Sequence, residues 1–311
     1  MALNIVLGLV LLTLIVLSSG VVIDLLEKFV LRLPLGKSKV ISILIGFSLA
    51  LPELFVGIAA AMDGKPQLSF GNVIGANMAN LSLIIGGLAV LTSVVPIVGE
   101  YKKKDFWLTI GLVMMPLLLL FDGVISKMEG LMLVVLYFVY AFCFAESRNM
   151  GKQSAKKIGL VEKIGMVVIL ALGLIILAVC SWQLVQVSVV VAASWGVSWF
   201  WMGLLLVSFG TTLPELLLLS TSRKKNKASL ALNDLLGSVV MNSTLILGIV
   251  AVISPIVMRE SLQRGVTGVF MIFTLGLFWL FTKSKRKLER WEGVVLIGIY
   301  LMFVGLQFIL A

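Results

Sequence analysis

Two copies of the tetrapeptide Leu-Pro-Glu-Leu, at residues 51–54 and 213–216, place a proline beside an acid inside long apolar segments. A carboxylate at bilayer depth costs roughly 3 kcal/mol or more, so such an acid is rarely accidental. Proline lacks a backbone N–H and clashes with the carbonyl one turn earlier. Each proline should therefore free carbonyls next to the acid that follows it, Glu53 or Glu215. Two carboxylates with freed carbonyls predict a cation site.

The chemistry of this predicted site favours a hard cation bound by oxygen. Ca²⁺ takes 6–8 oxygen ligands at roughly 2.3–2.6 Å. Zn²⁺ and Cu⁺ prefer imidazole or thiolate, but the chain has no His, and its two cysteines, Cys143 and Cys180, lie in apolar segments. The alternative for Glu53 and Glu215 is a pair of protonated acids that hydrogen-bond between helices. The usual functional role of unpaired intramembrane acids favours ion binding.

Further oxygen ligands follow each acid at matching positions. Asn80 and Asn242 each stand 27 positions after a Leu-Pro-Glu-Leu glutamate, in the next apolar segment. They are candidate ligands, and the alternative is hydrogen bonding between helices. The hydroxyls of Thr211, Thr212 and Ser238 are also candidates. Their alternative role is hydrogen bonding to the backbone of their own helix.

Composition places these residues in a polytopic, all-α membrane protein. Of the 311 residues 60% are hydrophobic and 13% are charged, with a mean hydropathy of +1.14, whereas soluble domains have about 25% charged residues. A net charge of +10 would suit nucleic acid, but the basic residues lie in short loops between apolar segments. There they orient a membrane protein, so the partner is the lipid bilayer and no nucleic acid is expected.

Ten apolar segments approach or exceed the length that a transmembrane helix needs. They are placed at residues 3–22, 40–62, 68–95, 106–122, 129–146, 161–185, 196–221, 229–257, 265–282 and 293–310. Loops after the odd-numbered spans contain 21 of the 25 basic residues, and the opposite side has only Lys65, Lys127, Arg259 and Arg264. By the positive-inside rule, the basic loops face the cytoplasm. A multi-pass cell-membrane protein with both termini extracellular is predicted.

An internal repeat relates the two halves. Adding 162 to a residue number in the first half gives the equivalent residue in the second half, as from Glu53 to Glu215. The same shift gives the pairs Phe47 and Phe209, Asn72 and Asp234, Gly75 and Gly237, Asn80 and Asn242, and Gly86 and Gly248. Because each half contains five spans, the second copy enters the membrane in the opposite orientation, an architecture typical of secondary transporters. We predict a first five-helix repeat at 1–148, a cytoplasmic linker at 149–160 and an inverted repeat at 161–311. Close helix packing is expected at Gly71, Gly75, Gly86, Gly237 and Gly248.

These motifs resemble the calcium/cation antiporter superfamily, and within it the prokaryotic sodium/calcium exchangers. The resemblance rests on residues 48–54 with 71–77, and on residues 209–216 with Gly237, Ser238 and Asn242. It implies ten helices, with spans 2, 3, 7 and 8 around a central site and spans 1 and 6 sliding against them. It also implies that the family's essential glutamates correspond to Glu53 and Glu215. Its amide and hydroxyl ligands then correspond to Asn80, Asn242, Thr211, Thr212 and Ser238.

The first repeat departs from the family pattern, because Leu49, Ala50 and Ala76 replace three hydroxyl residues. In the family those hydroxyls help bind Na⁺. The expected function is export of Ca²⁺ in exchange for Na⁺, with no resident cofactor, and the alternative is H⁺/Ca²⁺ exchange. A cation channel is less favoured, since acidic filters usually form from identical subunits. An enzyme is not expected, because the chain shows neither a nucleophile–base pair nor a phosphate loop.

Overall fold

Helices make up most of the chain in the computed structural model, which describes residues 1–31, 37–96, 103–144, 148–149, 160–216, 228–258, 261–285 and 287–310. In chain order they are α1 Ala2–Leu31, α2 Lys39–Leu49, α3 Leu51–Met62, α4 Pro66–Met78, α5 Ile85–Thr92, α6 Lys103–Leu119, α7 Lys127–Phe144, α8 Leu160–Trp195, α9 Trp199–Met202, α10 Ser208–Thr211, α11 213–216, α12 Ala228–Met241, α13 Leu247–Ile253, α14 Ser261–Lys285 and α15 Arg290–Ile309. The expected all-helical membrane fold is confirmed at this level. Most of the linker predicted at 149–160 lies outside the described residues.

Two of the apolar helices form the buried centre of the molecule. Within the described residues, six helices are long and apolar enough to cross a bilayer, and the shorter α3 is also apolar. The most apolar windows of Pro66–Thr92 and Ala231–Ile253 are 83% and 78% buried by protein, against 22–39% for the other four. Spans 3 and 8 of the sequence prediction are therefore central, and the other four helices of this length are more exposed.

Two predicted spans are too short. α1 continues to Leu31 and α8 to Trp195, whereas the predicted spans end at residues 22 and 185. In α1 an ion pair between Lys28 and Asp24 supports the added turns, with 2.5 Å between Nζ and Oδ2. In α8 small and β-branched apolar residues continue until Gly196, whose φ of +71° ends the helix. A hydropathy window ends at the first polar residue, but the helix needs a backbone signal to stop.

Both predicted helix breaks occur, at equivalent positions. α2 ends at Leu49, and Ala50 adopts φ −87° and ψ 6° before α3 begins. α10 ends at Thr211, and Thr212 adopts φ −87° and ψ −1° before α11. Each break lies two residues before the proline, as the loss of the proline N–H requires. The two glutamates thus begin new helical segments.

Three stretches of π-helix interrupt the central helices: Ala79–Ile84 between α4 and α5, Gly203–Val207 between α9 and α10, and Asn242–Ile246 between α12 and α13. The wider turn of a π-helix redirects side chains and occurs frequently at functional sites. The first and third stretches contain Asn80 and Asn242. The sequence did not predict any of the three.

Short antiparallel strand pairs join loops that are distant in sequence. The strands are β1 Lys37–Ser38, β2 Val94–Pro96, β3 Val124–Ile125, β4 Arg148–Asn149, β5 Ile256–Val257 and β6 Lys287–Glu289. They pair as β1 with β4, β2 with β6, and β3 with β5. Each pair joins loops that the charge pattern places on one side of the membrane. Adding 162 to the residue numbers maps β2 onto β5 and β3 onto the start of β6. The repeat therefore relates the β2–β6 pair to the β3–β5 pair.

Close helix contacts occur at four of the five glycines expected to pack tightly. An added Cβ at Gly86 would lie 2.7 Å from the carbonyl oxygen of Gly293, and one at Gly248 would lie 2.7 Å from that of Gly130. These contacts join α5 to α15 and α13 to α7. At Gly237 no atom of the described residues lies within 4 Å of the Cβ position, so close packing there stays a prediction.

The tightest crossing holds α4 against the segment from α9 to α10. A Cβ at Gly71 would lie 2.1 Å from the Phe200 carbonyl oxygen, and one at Gly75 would lie 2.1 Å from that of Leu204. From the other side, Gly203 approaches the carbonyl oxygen of Leu68 in the same way. The two backbones meet directly, and no other residue type fits at these positions.

A polar cluster lies at the end of the molecule where the turn between α3 and α4 meets α8 and α9. In the turn between α3 and α4, Lys65 pairs with the carboxylate of Asp63 and lies over the ring of Trp199, 5.5 Å from its centroid. Gln186 of α8 donates to Asp63 Oδ1 at 3.0 Å. Hydrogen bonds from Lys65 and then from Gln186 hold the pKa of the Asp63 carboxyl below its usual range. The turn is thus tied to both α8 and α9.

Replacing Gly203 with alanine should destabilise the fold, because the new Cβ would lie 2.0 Å from the Leu68 carbonyl oxygen. Overpacking of this kind costs about 1–3 kcal/mol. Thermal unfolding of the purified protein in detergent measures the change. Gly276→Ala on α14 is the control, since nothing described lies within 4 Å of that Cβ. It should be neutral or slightly stabilising, and equal melting temperatures for the two variants would contradict the proposed backbone contact.

Candidate functional site

The two glutamates are completely buried, and the hydrogen-bonding capacity of their carboxyl groups is unused. Glu53 and Glu215 each have an exposed fraction of 0%. None of their four carboxyl oxygens has a hydrogen-bond partner among the residues that the structure describes. The two carboxyl groups lie within electrostatic range of each other, and that of Glu53 faces the hydroxyl of Thr211. Buried polar atoms in proteins are almost always satisfied, so four orphaned acid oxygens in one place indicate a site for a ligand.

Their positions follow from the local backbone. Glu53 is the third residue of α3 and Glu215 the third residue of α11, just after the two helix breaks. The first turn of a helix has N–H groups without intrahelical partners and a positive dipole end, which stabilises an acid. Each glutamate therefore stands in the first turn of a new helical segment, directly after a break in the backbone.

The two asparagines are buried in π-helical turns, but their environments differ. Neither side-chain atom of Asn80 has a hydrogen-bond partner. Asn242 donates from Nδ2 to Asn77 Oδ1 at 3.2 Å, and only its Oδ1 remains without a partner. Asn77 in turn donates from Nδ2 to the Ser243 hydroxyl at 2.7 Å. A chain of amides therefore orients Asn242 with its carbonyl oxygen free.

The three candidate hydroxyls are also buried. Thr211 donates to Asn72 Oδ1 at 3.1 Å, and Thr212 donates to the Ser208 carbonyl at 2.8 Å. Both hydroxyl oxygens keep lone pairs, and the Ser238 hydroxyl has no hydrogen-bond partner. Thr212 uses the backbone of its own segment, which was the alternative that the sequence left open. Thr211 shares this alternative, with its hydroxyl 3.3 Å from the Ser208 carbonyl oxygen, and it also bridges α10 to α4.

Three residues that the sequence analysis did not select complete the polar interior: Asn72, Asn77 and Ser243, each with 0% exposure. Asn72 accepts from Thr211, and its Nδ2 has no partner. Both asparagines lie in the Gly71–Asn77 motif and were available as a signal. Ser243 neighbours Asn242, but one serine in an apolar helix does not stand out from ordinary packing.

The two halves of the site differ chemically. Moving back by 162 positions converts Thr211, Thr212 and Ser238 into Leu49, Ala50 and Ala76. All three replacements are apolar and at most 2% exposed. The three candidate hydroxyls therefore all belong to the second half. No cluster of three or more His, Cys, Asp or Glu side chains occurs among the residues described, so two carboxylates would supply the charge and neutral oxygens the remaining ligands.

Fold and site define the class: an α-helical membrane protein whose buried centre holds two acids at equivalent helix breaks. The chain belongs to the sodium/calcium exchanger family. The family model described as sodium/calcium exchanger protein matches residues 3–145 and 165–309. Membership in this family of membrane cation antiporters confirms the resemblance inferred from the repeated motifs.

Relatives agree with this placement. The putative antiporter CaxA of Alkalimonas amylolytica is 28% identical over 83% of each chain. The sodium/calcium exchanger MaX1 of Methanosarcina acetivorans is 24% identical, with 85% of this chain and 87% of the relative covered. A solved structure of the sodium-calcium exchanger NCX_Mj, soaked with Na⁺ and Sr²⁺, superimposes with a TM-score of 0.66 at 22% identity, covering 97% and 96% of the two chains. This similarity shows that the fold is shared.

The hydrogen bond between Asn77 and Asn242 should be energetically coupled. Asn77→Leu leaves the Asn242 Nδ2 without its acceptor, and Asn242→Leu leaves the Asn77 Oδ1 without its donor. Each single change should destabilise the protein, because an unsatisfied buried polar group costs about 1–3 kcal/mol. The double variant should lose less than the sum, by about 0.5–3 kcal/mol. Thermal unfolding of all four proteins measures this coupling, and strict additivity would show that the bond contributes nothing.

Proposed function

We propose that this chain is a secondary active antiporter that exports Ca²⁺ in exchange for Na⁺, with the ions bound between Glu53 and Glu215. The observation that carries the proposal is the pair of fully buried carboxyls whose four oxygens have no hydrogen-bond partner in the described part of the chain. An anionic pair in a protein interior is costly without a cation or protons. Family membership supports cation antiport as the use of such a pair.

The proposed ion shell combines both halves of the chain. Carboxylate oxygens of Glu53 and Glu215 supply the charge, and the free Oδ1 of Asn242 and the amide of Asn80 add neutral oxygens. Lone pairs of Thr211, Thr212 and Ser238 complete the set on one side. An all-oxygen shell with two carboxylates suits Ca²⁺, which binds 6–8 oxygens with flexible geometry. Mg²⁺ demands a stricter octahedron and gives up water reluctantly.

The proposed architecture is ten transmembrane helices in two inverted five-helix repeats, at 1–148 and 161–311. Supporting features recur at the 162-residue shift: the breaks at Ala50 and Thr212, the π-helical turns that contain Asn80 and Asn242, and the exchange of the β2–β6 and β3–β5 pairs. A symmetric exchange of this kind requires the two strand pairs to lie at opposite ends of the molecule. Inverted repeats create that geometry.

The proposed orientation has both termini outside the cell. Its support is the charge alternation of the loops together with the strand pairs, none of which joins a basic loop to a loop of the opposite side. In this orientation the Asp63, Lys65 and Trp199 cluster lies at the extracellular end. The ends of α2 and α12 next to the basic loops lie at the cytoplasmic end.

Exchange follows from the electrostatics of the site. A bound Ca²⁺ neutralises the two carboxylates, so the loaded site can pass through an occluded state. An empty site would bring two uncompensated charges into a water-free interior, which costs several kcal/mol. Ca²⁺ release must then be coupled to entry of another cation. This cost would enforce exchange and prevent leakage in one direction.

The driving ion has two candidates. The name of the MaX1 relative favours Na⁺. The absence of hydroxyls at Leu49, Ala50 and Ala76 favours protons, because Na⁺ has fewer ligands in the first half of the site. Protonation of the two glutamates would neutralise the pair without any added ligand. A channel needs no such neutralisation and would conduct without a counter-ion.

Ca²⁺ uptake into vesicles under separately imposed Na⁺ and H⁺ gradients distinguishes these candidates. We expect purified protein in liposomes to accumulate ⁴⁵Ca²⁺ against its gradient when an opposing Na⁺ gradient is present. A pH gradient alone should give much slower uptake. Uptake driven only by the pH gradient would establish the alternative, and Ca²⁺ flux indifferent to both gradients would indicate a channel.

Glu53→Gln and Glu215→Gln should each abolish Ca²⁺ counterflow while leaving the fold intact. Glutamine preserves the shape of the side chain but removes half of the site's negative charge. Loss of one carboxylate from the ion shell should weaken binding by more than about tenfold, or about 1.4 kcal/mol. Asp24→Asn is the matched control, since that acid is 59% exposed and pairs with Lys28 outside the site. Undiminished counterflow in both glutamine variants would refute the proposed site.

A further inference from the structure

A surface groove of about 540 Å³ lies at the end of the molecule where β2 pairs with β6. This α5–α15 groove is lined by the residues that follow α5 and by the first turn of α15: Ser93, Val94, Glu289, Arg290, Trp291 and Val294. Val94, Trp291 and Val294 are exposed and form an apolar wall. Ser93 and Arg290 are also exposed, so an apolar surface and a charged hydrogen-bond donor lie side by side.

Aromatic side chains place the groove at the level of the lipid headgroups. Trp291 packs edge-on against Phe281, with 5.4 Å between the ring centroids. On the neighbouring helices, the ring centroids of Trp107 and Trp279 are 5.2 Å apart, and the Lys283 ammonium lies 4.6 Å above the Trp279 ring. Tryptophan is enriched at membrane–water interfaces, and a lysine there extends its charge toward the headgroups. In the proposed orientation this interface is the cytoplasmic one.

Positive charge predominates around the groove. Residues 100–105 and 283–292 contain eight basic and four acidic residues. The Glu289 carboxylate pairs with the Lys287 ammonium at 3.1 Å through Oε1, and its Oε2 accepts from Trp291 Nε1 at 3.1 Å. The acid in the lining is therefore neutralised by its neighbours, and the charge of Arg290 remains. A basic cluster of this size beside a transmembrane helix attracts the anionic lipids of the cytoplasmic leaflet.

Two residues of the lining are unfavourable for the fold alone. Arg290 is the first residue of α15, where the helix dipole disfavours a cation. Ser93 has a φ of +63°, and among the described residues it is the one non-glycine residue with a positive φ. The equivalent helix α13 ends without such a turn, since Ser254 has a φ of −141°. Strained backbone is typical of functional sites, so a bound group explains both residues better than stability does.

We propose that the α5–α15 groove binds an anionic phospholipid of the cytoplasmic leaflet. Arg290 and Ser93 hold its phosphate, and the apolar wall contacts its acyl chains. A guanidinium matches a phosphate with two parallel hydrogen bonds, and a serine hydroxyl donates another. The positive surroundings disfavour the ammonium group of a zwitterionic lipid. The proposal does not depend on which ion is transported, because no residue of the groove belongs to the candidate ion site.

Lipid binding by the purified protein in detergent tests the proposal. Native mass spectrometry and thermal unfolding compare phosphatidylglycerol with phosphatidylcholine of the same acyl chains. Phosphatidylglycerol should be retained at lower lipid concentrations and should raise Tm further, since a ligand of the folded state stabilises it. Equal retention and equal shifts would overturn the proposal. A shift of the same size with inorganic phosphate alone would also overturn it, because the groove would then bind a soluble anion.

Arg290→Gln tests the phosphate contact. The affinity for phosphatidylglycerol should fall by about tenfold, because a hydrogen bond between charged groups is lost. Without lipid the variant should unfold at the parental Tm or above it, since a cation leaves the start of a helix. Lys28→Gln is the control: it removes one exposed basic charge on the same side in the proposed orientation but outside the groove. Parental affinity of Arg290→Gln, or an equal loss in both variants, would overturn the proposal.

Val294→Trp tests the shape of the groove without changing its charge. The added indole should fill the space beside the apolar wall, so less phosphatidylglycerol should be retained than by the parent protein. Val135→Trp on α7 is the matched control, because that valine is 53% exposed, against 57% for Val294, and lies outside the groove. It should retain lipid like the parent protein. Parental retention by Val294→Trp would show that the lipid binds elsewhere.

Discussion

A bilayer offers no water to satisfy polar groups, and this constraint accounts for the arrangement of the whole molecule. Pro52 and Pro214 each interrupt the hydrogen-bond ladder of a buried helical segment, which frees carbonyls and begins a new helical turn. Glu53 and Glu215 stand at those turns with no partner for their oxygens. An arrangement so costly in apolar surroundings persists only if another group completes it. In the proposed function, a cation would do so with charge and coordination together.

The remaining helices hold this arrangement in place. The two central helices, Pro66–Thr92 and Ala231–Ile253, are enclosed by protein, and their π-helical turns direct Asn80 and Asn242 inward. Glycines allow backbones to approach where a side chain would separate them, as in the contacts of α5 with α15 and α13 with α7. Strand pairs then join the loops at the ends. The site is therefore supported by direct backbone contacts between helices.

Much of this arrangement can be predicted from the sequence, because the residues that mark it carry a high free-energy cost in an apolar segment. Charge in an apolar segment, proline beside it and the 162-residue repeat predicted the breaks and the buried acids. The π-helical turns escaped prediction because a π-helix and an α-helix share one apolar pattern. The length of α8 was underestimated because hydropathy records lipid exposure, while Gly196 determines where the helix ends. The hydrogen bond from Asn242 to Asn77 depends on the directions of side chains on two different helices. The spacing of residues within one helix does not predict those directions.

The backbone is nearly symmetric, whereas the side chains are not, and the two properties have different consequences. Equivalent breaks at Ala50 and Thr212 give both halves the same local geometry, so two states related by exchange of the halves would have similar backbone energies. Replacing Thr211, Thr212 and Ser238 by Leu49, Ala50 and Ala76 in the first half makes ion binding unequal. A monovalent ion would find the three candidate hydroxyl oxygens on residues of the second half and none at the equivalent positions of the first half. Symmetry would thus supply the alternation, and the missing hydroxyls would determine which ion drives it.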